Sequence, residues 1–83
     1  MKKFSLKIMS KEKTITREVQ EVVVNANEGY LTILKNHIPL ISTLRDGKIH
    51  WRDESELRED LLIKNGLMKV TRDEVIIFCD IVN

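Results

Sequence analysis

An all-β sandwich or flattened barrel is the architecture this sequence predicts, on three observations. Apolar residues recur at every second position through much of its 83 residues, the period of a half-buried strand. The pairs Asp46-Gly47, Asn65-Gly66 and Arg72-Asp73 interrupt those runs with turn chemistry. β-Branched residues crowd the stretches between, and such side chains suit a pleated, half-buried surface. Short strands broken in this way bury their apolar faces by packing sheet on sheet or by closing a barrel.

The first element is "FSLKIM", in which Phe4, Leu6 and Ile8 point one way and Ser5 and Lys7 the other. In "ITREVQEVVV", Ile15, Val19, Val22 and Val23 follow helical spacing, yet Thr14, Ile15, Thr16 and four valines favour strand, as does every neighbouring segment. "KIHWR" alternates again, setting Ile49 and Trp51 against Lys48, His50 and Arg52. "DESELRED" reads as a charged hairpin loop in preference to a capped helical turn. Asn65-Gly66 predicts a two-residue hairpin turn in which both central residues take positive φ. That turn would oppose Lys64 to Leu67, Ile63 to Met68, Leu62 to Lys69 and Leu61 to Val70. A second tight turn at Arg72-Asp73 would oppose Val70 to Val75 and Met68 to Ile77. Leu61, Ile63, Met68, Val70, Val75, Ile77 and Cys79 then share one apolar face. The opposite face of this meander carries Leu62, Leu67, Ile76 and Phe78 beside Lys64 and Lys69. A free outer face is mainly polar, so either loops of the same chain cover it or it is a contact surface.

Size and composition limit the function classes. The length fits one domain, and a domain this small buries only about 60% of its unfolded surface, which leaves little for a deep cleft. The formal net charge of +1 carries no global signal for nucleic acid or membrane. Charge is nevertheless uneven: residues 1–20 hold six Lys/Arg against two Glu, and residues 53–60 hold five acids against one Arg. The single cysteine, Cys79, excludes an intrachain disulfide and fits a reducing compartment. No run approaches the roughly 18 apolar residues of a membrane span, and "MKKFSLKIMSKEK" lacks the continuous apolar core of a secretory signal.

Chemistry is sparse. His37 and His50 are the only histidines, neither in a local motif with a serine or with Cys79. Their spacing with Cys79 resembles no zinc pattern. The glycines Gly29, Gly47 and Gly66 are isolated and build no phosphate loop. The carboxylates of "ESELRED" lie in a polar stretch that would not raise their pKa. The expectation is a non-catalytic protein with no cofactor and no metal. A stand-alone module that binds a peptide or single-stranded nucleic acid is the alternative, but two of the four aromatics, Phe4 and Trp51, alternate as core positions and leave a poor stacking platform.

The stretch "EVVVNANEGYLTILKNHIPLISTLRDGKI" closely resembles the epsilon subunit of F-type ATP synthases. Val22-Val23-Val24, Glu28-Gly29, Asn36-His37-Ile38-Pro39-Leu40 and Gly47-Lys48-Ile49 match that family's Val-rich strand, Glu-Gly turn, Asn/Gly-His-x-Pro-Leu corner and Gly-x-Ile/Leu strand start. "LIKNGLMKVTRDEVIIFCD" is similar to its Gly-Gly hairpin and closing strand, and "KIMSKEK" to its first strand and Ser-x-Glu turn. Departures are Lys64-Asn65-Gly66 for Ser-Gly-Gly, Lys35 for a common proline, and Tyr30 where a polar residue often follows Glu-Gly. The family usually continues into a C-terminal helical hairpin that these residues do not reach, so the expected organisation is one domain over 1–83. The hairpin's inhibitory and nucleotide-sensing roles are not carried over.

The resemblance implies a flattened ten-stranded β sandwich of two antiparallel sheets. It implies a rotor subunit without catalysis, at the foot of the central stalk and at the cytoplasmic face of the membrane. The subunit would link the gamma subunit to the ring of c subunits and couple ion transport to ATP synthesis or hydrolysis. The same resemblance nominates Glu28, Gly29, Tyr30, Asn36 and His37 for ring contact and Ser10, Leu40 and Ser42 for gamma contact. Each has a plainer role open to it: Gly29 in a positive-φ turn, Pro39 at an edge, Leu40 in the core, His37 in a hydrogen bond within its own loop.

Overall fold

Eight strands make up the fold in a computed structural model that describes residues 3–82. Residues 1, 2 and 83, part of the expected 1–83 domain, lie outside the described residues. The strands are β1 (Phe4–Met9), β2 (Thr14–Val19), β3 (Glu21–Ala26), β4 (Gly29–Ile33), β5 (Leu40–Leu44), β6 (Gly47–Arg52), β7 (Arg58–Val70) and β8 (Glu74–Ile81). The all-β expectation holds, with no helix among the described residues. The strand count of ten is corrected to eight. The two separate antiparallel sheets are corrected to one hydrogen-bonded path, β2-β1-β8-β7-β5-β3-β4, with β6 pairing both β3 and β7. Nor is it wholly antiparallel, because β1 runs parallel to β8, with Leu6 beside Val75 and Ile8 beside Ile77.

One path encloses a core because two of its strands bend together. Against β8, β7 shifts register between Lys64 and Leu67, where Asn65 and Gly66 occupy the space opposite Cys79. Before that point Leu61 and Ile63 face inward; after it Gly66, Met68 and Val70 do. On the other side of β7, β5 and β6 run end to end. Leu40 to Leu44 pair with Val70 to Gly66, and Gly47 to Arg52 with Ile63 to Arg58. The inward face switches there too, from Leu44 to Ile49 and Trp51. This switch of the inward face at one level in both strands kinks the pair and turns the sheet over on itself. One layer then holds β2, β1, β8, β5 and the end of β7, and the other holds the start of β7 with β6, β3 and β4. All eight strands contribute to one core, from Phe4, Leu6 and Ile8 to Trp51, Met68 and Ile77.

Asn65-Gly66 is therefore the bulge of a continuous strand and not a hairpin turn, which corrects the registers expected from it. Leu61 pairs with Ile49, and Ile63 with Gly47 and Ile81. Asn65 does take positive φ, at 53°, as its sequence chemistry predicts. Asp46 and Asp80 hold the bulge: Asn65 N–H donates to Asp46 Oδ1 at 3.1 Å, and its side-chain amide donates to Asp80 Oδ2 at 2.9 Å. Gly66 has no room for a side chain, since a Cβ there would lie 2.9 Å from the Leu44 Cβ. The Arg72-Asp73 turn forms as expected and pairs Val70 with Val75 and Met68 with Ile77.

The remaining elements follow their patterns. The stretch with helical spacing is two strands, β2 and β3, separated by Gln20. Gln20 is buried where the chain crosses between layers, and its Oε1 accepts from Arg52 Nη1 at 2.8 Å. The charged hairpin loop is Asp53–Leu57, and Arg58, Glu59 and Asp60 already belong to β7. Asp53 closes that loop by accepting from the N–H groups of Ser55 and Leu57.

Candidate interaction surface

The segment between β4 and β5 is a corner, and its polar residues shape it. Leu34 C=O accepts from His37 N–H at 3.2 Å, and Asn36 between them takes φ of 65°, which asparagine tolerates better than most residues. The His37 ring is turned back on its own loop, with Nδ1 2.8 Å from the Ile38 carbonyl oxygen, so that nitrogen carries the donated hydrogen. Lys35 anchors the corner: its Nζ donates to the Lys3 carbonyl at 3.0 Å and lies 3.6 Å from Asp73 Oδ1. The tip is apolar, for Ile38 is 78% exposed and Leu34 53%.

The turn from β3 into β4 displays a second group. Glu28, Gly29 and Tyr30 are all exposed, Tyr30 at 78%, and Gly29 takes φ of 127°, a conformation that a side chain would strain. These residues face the start of β5 across an open depression of about 360 Å³. Ala26, Leu31, Leu40 and Ile41 contribute its apolar residues and Glu28, Tyr30 and Ser42 its polar groups. Glu28, Gly29, Tyr30, Leu40 and Ser42 are thus brought together, with Asn36 and His37 on the adjoining corner.

Ser10 is apart from them, at the turn between β1 and β2. Its hydroxyl is committed there: Oγ donates to the Lys13 carbonyl at 3.0 Å and accepts from Lys13 N–H at 3.2 Å. Leu40 is half-buried and packs against the core, whereas its neighbour Ile41 is 70% exposed. Ile41, Ile38 and Leu34 are surface groups that sequence reasoning did not nominate. Alternation alone could not separate Leu40 from Ile41, because the inward position depends on which residue of β7 each one meets.

Titratable groups with displaced pKa serve the scaffold. Arg17 Nε and Trp51 Nε1 each donate to Glu59 Oε1 at 3.0 Å, and these two bonds, with Arg17 the stronger influence, hold the Glu59 carboxyl below its usual range. Cys79 is buried in β8, and burial, followed by the neighbouring Asp80, raises its thiol pKa. Among the described residues no three His, Cys, Asp or Glu side chains gather as metal ligands. Nor is any helix long and apolar enough to cross a membrane. What the surface offers chemically is contact: rigid loops with exposed apolar tips, beside a depression that could seat a side chain.

A family model described as the ATP synthase delta/epsilon chain β-sandwich domain matches residues 3–83. The ATP synthase epsilon chain of Bdellovibrio bacteriovorus is 39% identical over 79 residues, which are 92% of this chain and 56% of that protein. That of Dichelobacter nodosus is 35% identical over 78 residues, 93% of this chain and 54% of that protein. A chain in the Euglena gracilis mitochondrial ATP synthase, solved with OSCP, F1 and c-ring, shares the fold at a TM-score of 0.89 and 20% identity, over 96% of this chain and 52% of its own length. One in the Tetrahymena thermophila central stalk/c-ring structure does so at 0.79 and 20%, over 95% and 64%. The chain spans about half the length of the relatives it matches. These similarities run to ATP synthase chains and lend nothing to the stand-alone binding module, whose stacking platform is further weakened by the burial of Phe4 and Trp51.

Proposed function

The chain belongs to the ATP synthase delta/epsilon-chain β-sandwich family, and from this we propose that it serves as a non-catalytic central-stalk component of an F-type ATP synthase. It links the gamma subunit to the ring of c subunits and supports rotary coupling of ion transport, of protons or sodium ions, to ATP synthesis or hydrolysis. It sits peripherally at the cytoplasmic face of the membrane, held there through the complex. The observation that carries this reading is the family match over residues 3–83.

Ring contact is assigned to the two displayed loops, through Glu28, Gly29 and Tyr30 on one and Asn36 and His37 on the other. A loop that must meet a turning ring gains from being rigid, because ordering it on binding costs affinity. The Lys35 anchor and the two hydrogen bonds of His37 supply that rigidity. Gamma contact is assigned to Leu40 and Ser42 in the depression and to Ser10 at the β1–β2 turn. With its hydroxyl occupied, Ser10 would contribute shape more than a new hydrogen bond.

Co-purification tests the role: tagged protein is expected to recover gamma and c subunits from native membranes, and consistent failure to recover either removes it. Replacing Tyr30 and His37 together with glutamate tests the ring assignment. Tyr30 is exposed and His37 half-buried in a corner outside the core, so the isolated fold should melt within a few degrees of wild type. Ion-driven ATP synthesis should fall several-fold, and unchanged synthesis in the double variant would count against these loops.

A further inference from the structure

We propose that Asn65-Gly66 is a self-modification site that the fold keeps closed: once the bulge of β7 opens, Gly66 displaces ammonia from Asn65, and the carboxylate left behind stops the bulge from re-forming. Asn25 is followed by Ala26, Asn27 by Glu28 and Asn36 by His37, and only Asn65 has a glycine after it. With no Cβ to crowd it, a glycine nitrogen is the backbone amide best able to swing onto the side chain before it. That nitrogen attacks the side-chain carbonyl carbon of Asn65. The new C–N bond closes a cyclic imide, the nitrogen's proton passes through solvent to the departing amide, and ammonia leaves. Water then opens the imide at either carbonyl. The product is aspartate, or isoaspartate with the chain rerouted through the side-chain carbon. The only co-reactant is water, and nothing is oxidised or reduced.

The closed bulge holds both reacting groups away from each other. Asn65 is exposed, but its side-chain amide donates to Asp80 Oδ2 at 2.9 Å and its N–H to Asp46 Oδ1 at 3.1 Å. Those bonds pin it between β8 and the junction of β5 with β6. Gly66 is buried, and a Cβ there would lie 2.9 Å from the Leu44 Cβ, so its peptide has no slack in which to turn. Cyclisation therefore waits for local opening. The product cannot resume the same contacts. Deamidation replaces the donor that faces Asp80 with a charged acceptor, and like charges at that distance repel. Lys64 pairs with Asp80 across the strands and takes part in none of the ion pairs found among the described residues. It could offset only one of the carboxylates then gathered from Asp46, Asp80 and position 65. Isoaspartate also lengthens the backbone, at the level where β7 abuts Leu44, and so disturbs the register beyond it. One opening is thus recorded as a permanent charge in the bulge. The inference concerns the chain alone and does not rest on the stalk role.

The test incubates the 83-residue protein in mildly alkaline buffer, folded and in guanidinium chloride. Peptic digestion at low pH then releases the peptide that contains Asn65, and mass spectrometry after chromatography separates its asparagine, aspartate and isoaspartate forms. The folded protein is expected to deamidate at least about tenfold more slowly than the unfolded chain. Equal rates would overturn the closure. Asp80→Ala removes the tether on the amide and should speed the folded-state reaction several-fold. Val22→Ala, a core change on β3 beside Ile33 and Trp51, lowers stability with the tether intact. When guanidinium brings these two variants to equal unfolding free energy, Asp80→Ala should remain the faster. Equal rates there would show that global unfolding gates the reaction, which overturns the role given to the bulge. Asn65→Asp reproduces one product and should lower the urea midpoint. Asn65→Asp/Asp80→Asn exchanges donor and acceptor and should regain part of the loss. An Asn65→Asp protein as stable as wild type, or no recovery in the exchanged pair, would overturn the claim that the product bars re-closure.

Discussion

Gly66 lies outside the left-handed region that its neighbour Asn65 occupies, so glycine is needed there for space alone. A Cβ at that position would meet the Leu44 Cβ at 2.9 Å and the Ile63 Cδ1 at 3.1 Å. The Leu44 Cβ is fixed to its backbone, so β5 itself would have to move. Gly66→Ala is expected to destabilise by about 1–3 kcal/mol, the usual cost of overpacking, read as a lower urea midpoint with an unchanged slope. Cys79 is a residue whose chemistry is silenced by position. With its thiolate disfavoured by burial, iodoacetamide at neutral pH should label it at least about tenfold more slowly than in the urea-unfolded chain. Equal rates would mean that β8 opens readily. His37 is tied to its own corner at the surface, where its Nδ1 donates to the Ile38 carbonyl.

At the level of strands, alternation was legible wherever neighbours in sequence shared one face. Phe4, Leu6 and Ile8 in β1, and Ile49 and Trp51 in β6, are buried as their period requires. The Asn65-Gly66 hairpin failed for a physical reason. A positive φ at asparagine serves a tight turn and a bulge equally well, and only the strands alongside decide between them. The residues expected to share a face nevertheless do, because the bulge switches parity as a two-residue turn would have done. The paired kink of β5–β6 with β7, which folds one sheet into two layers, had no local signal at all. Of the candidate surface, the two loops were legible as displayed turns, but the register that puts Ile41 outside and Leu40 inside was not. Glu59 links three strands: Arg17 is on β2, Trp51 on β6 and Glu59 on β7. Its lowered pKa means that its contribution is present above the usual glutamate value of 4.5 and lost as pH falls through the depressed value. The side chain is 42% exposed, so solvent screening keeps this to a fraction of a kcal/mol. Glu59→Gln keeps an acceptor for the buried Trp51 N–H and should flatten the acid limb of the stability–pH curve. Glu59→Ala leaves that N–H unpaired and should cost about 1–3 kcal/mol at neutral pH.

The whole molecule closes on itself through the parallel pairing of β1 with β8, where Ser5 to Met9 lie beside Glu74 to Phe78. Parallel pairing between elements so distant in sequence is a late and entropically costly contact in a folding chain. During synthesis β1 has only β2 to pair with until β8 has left the ribosome, and a lone two-stranded hairpin is marginal in water. The fold is therefore expected to be all-or-none with respect to translation. A ribosome-bound chain stalled before Glu74 should remain sensitive to protease throughout β1 to β7, and protection should arrive in one step once Ile81 is clear of the exit tunnel. Stepwise protection of the earlier strands would show that β3, β4, β6 and β7 hold together without it. This sets an order of events: no half-made sheet presents a finished surface, so any partner can recognise only the closed fold.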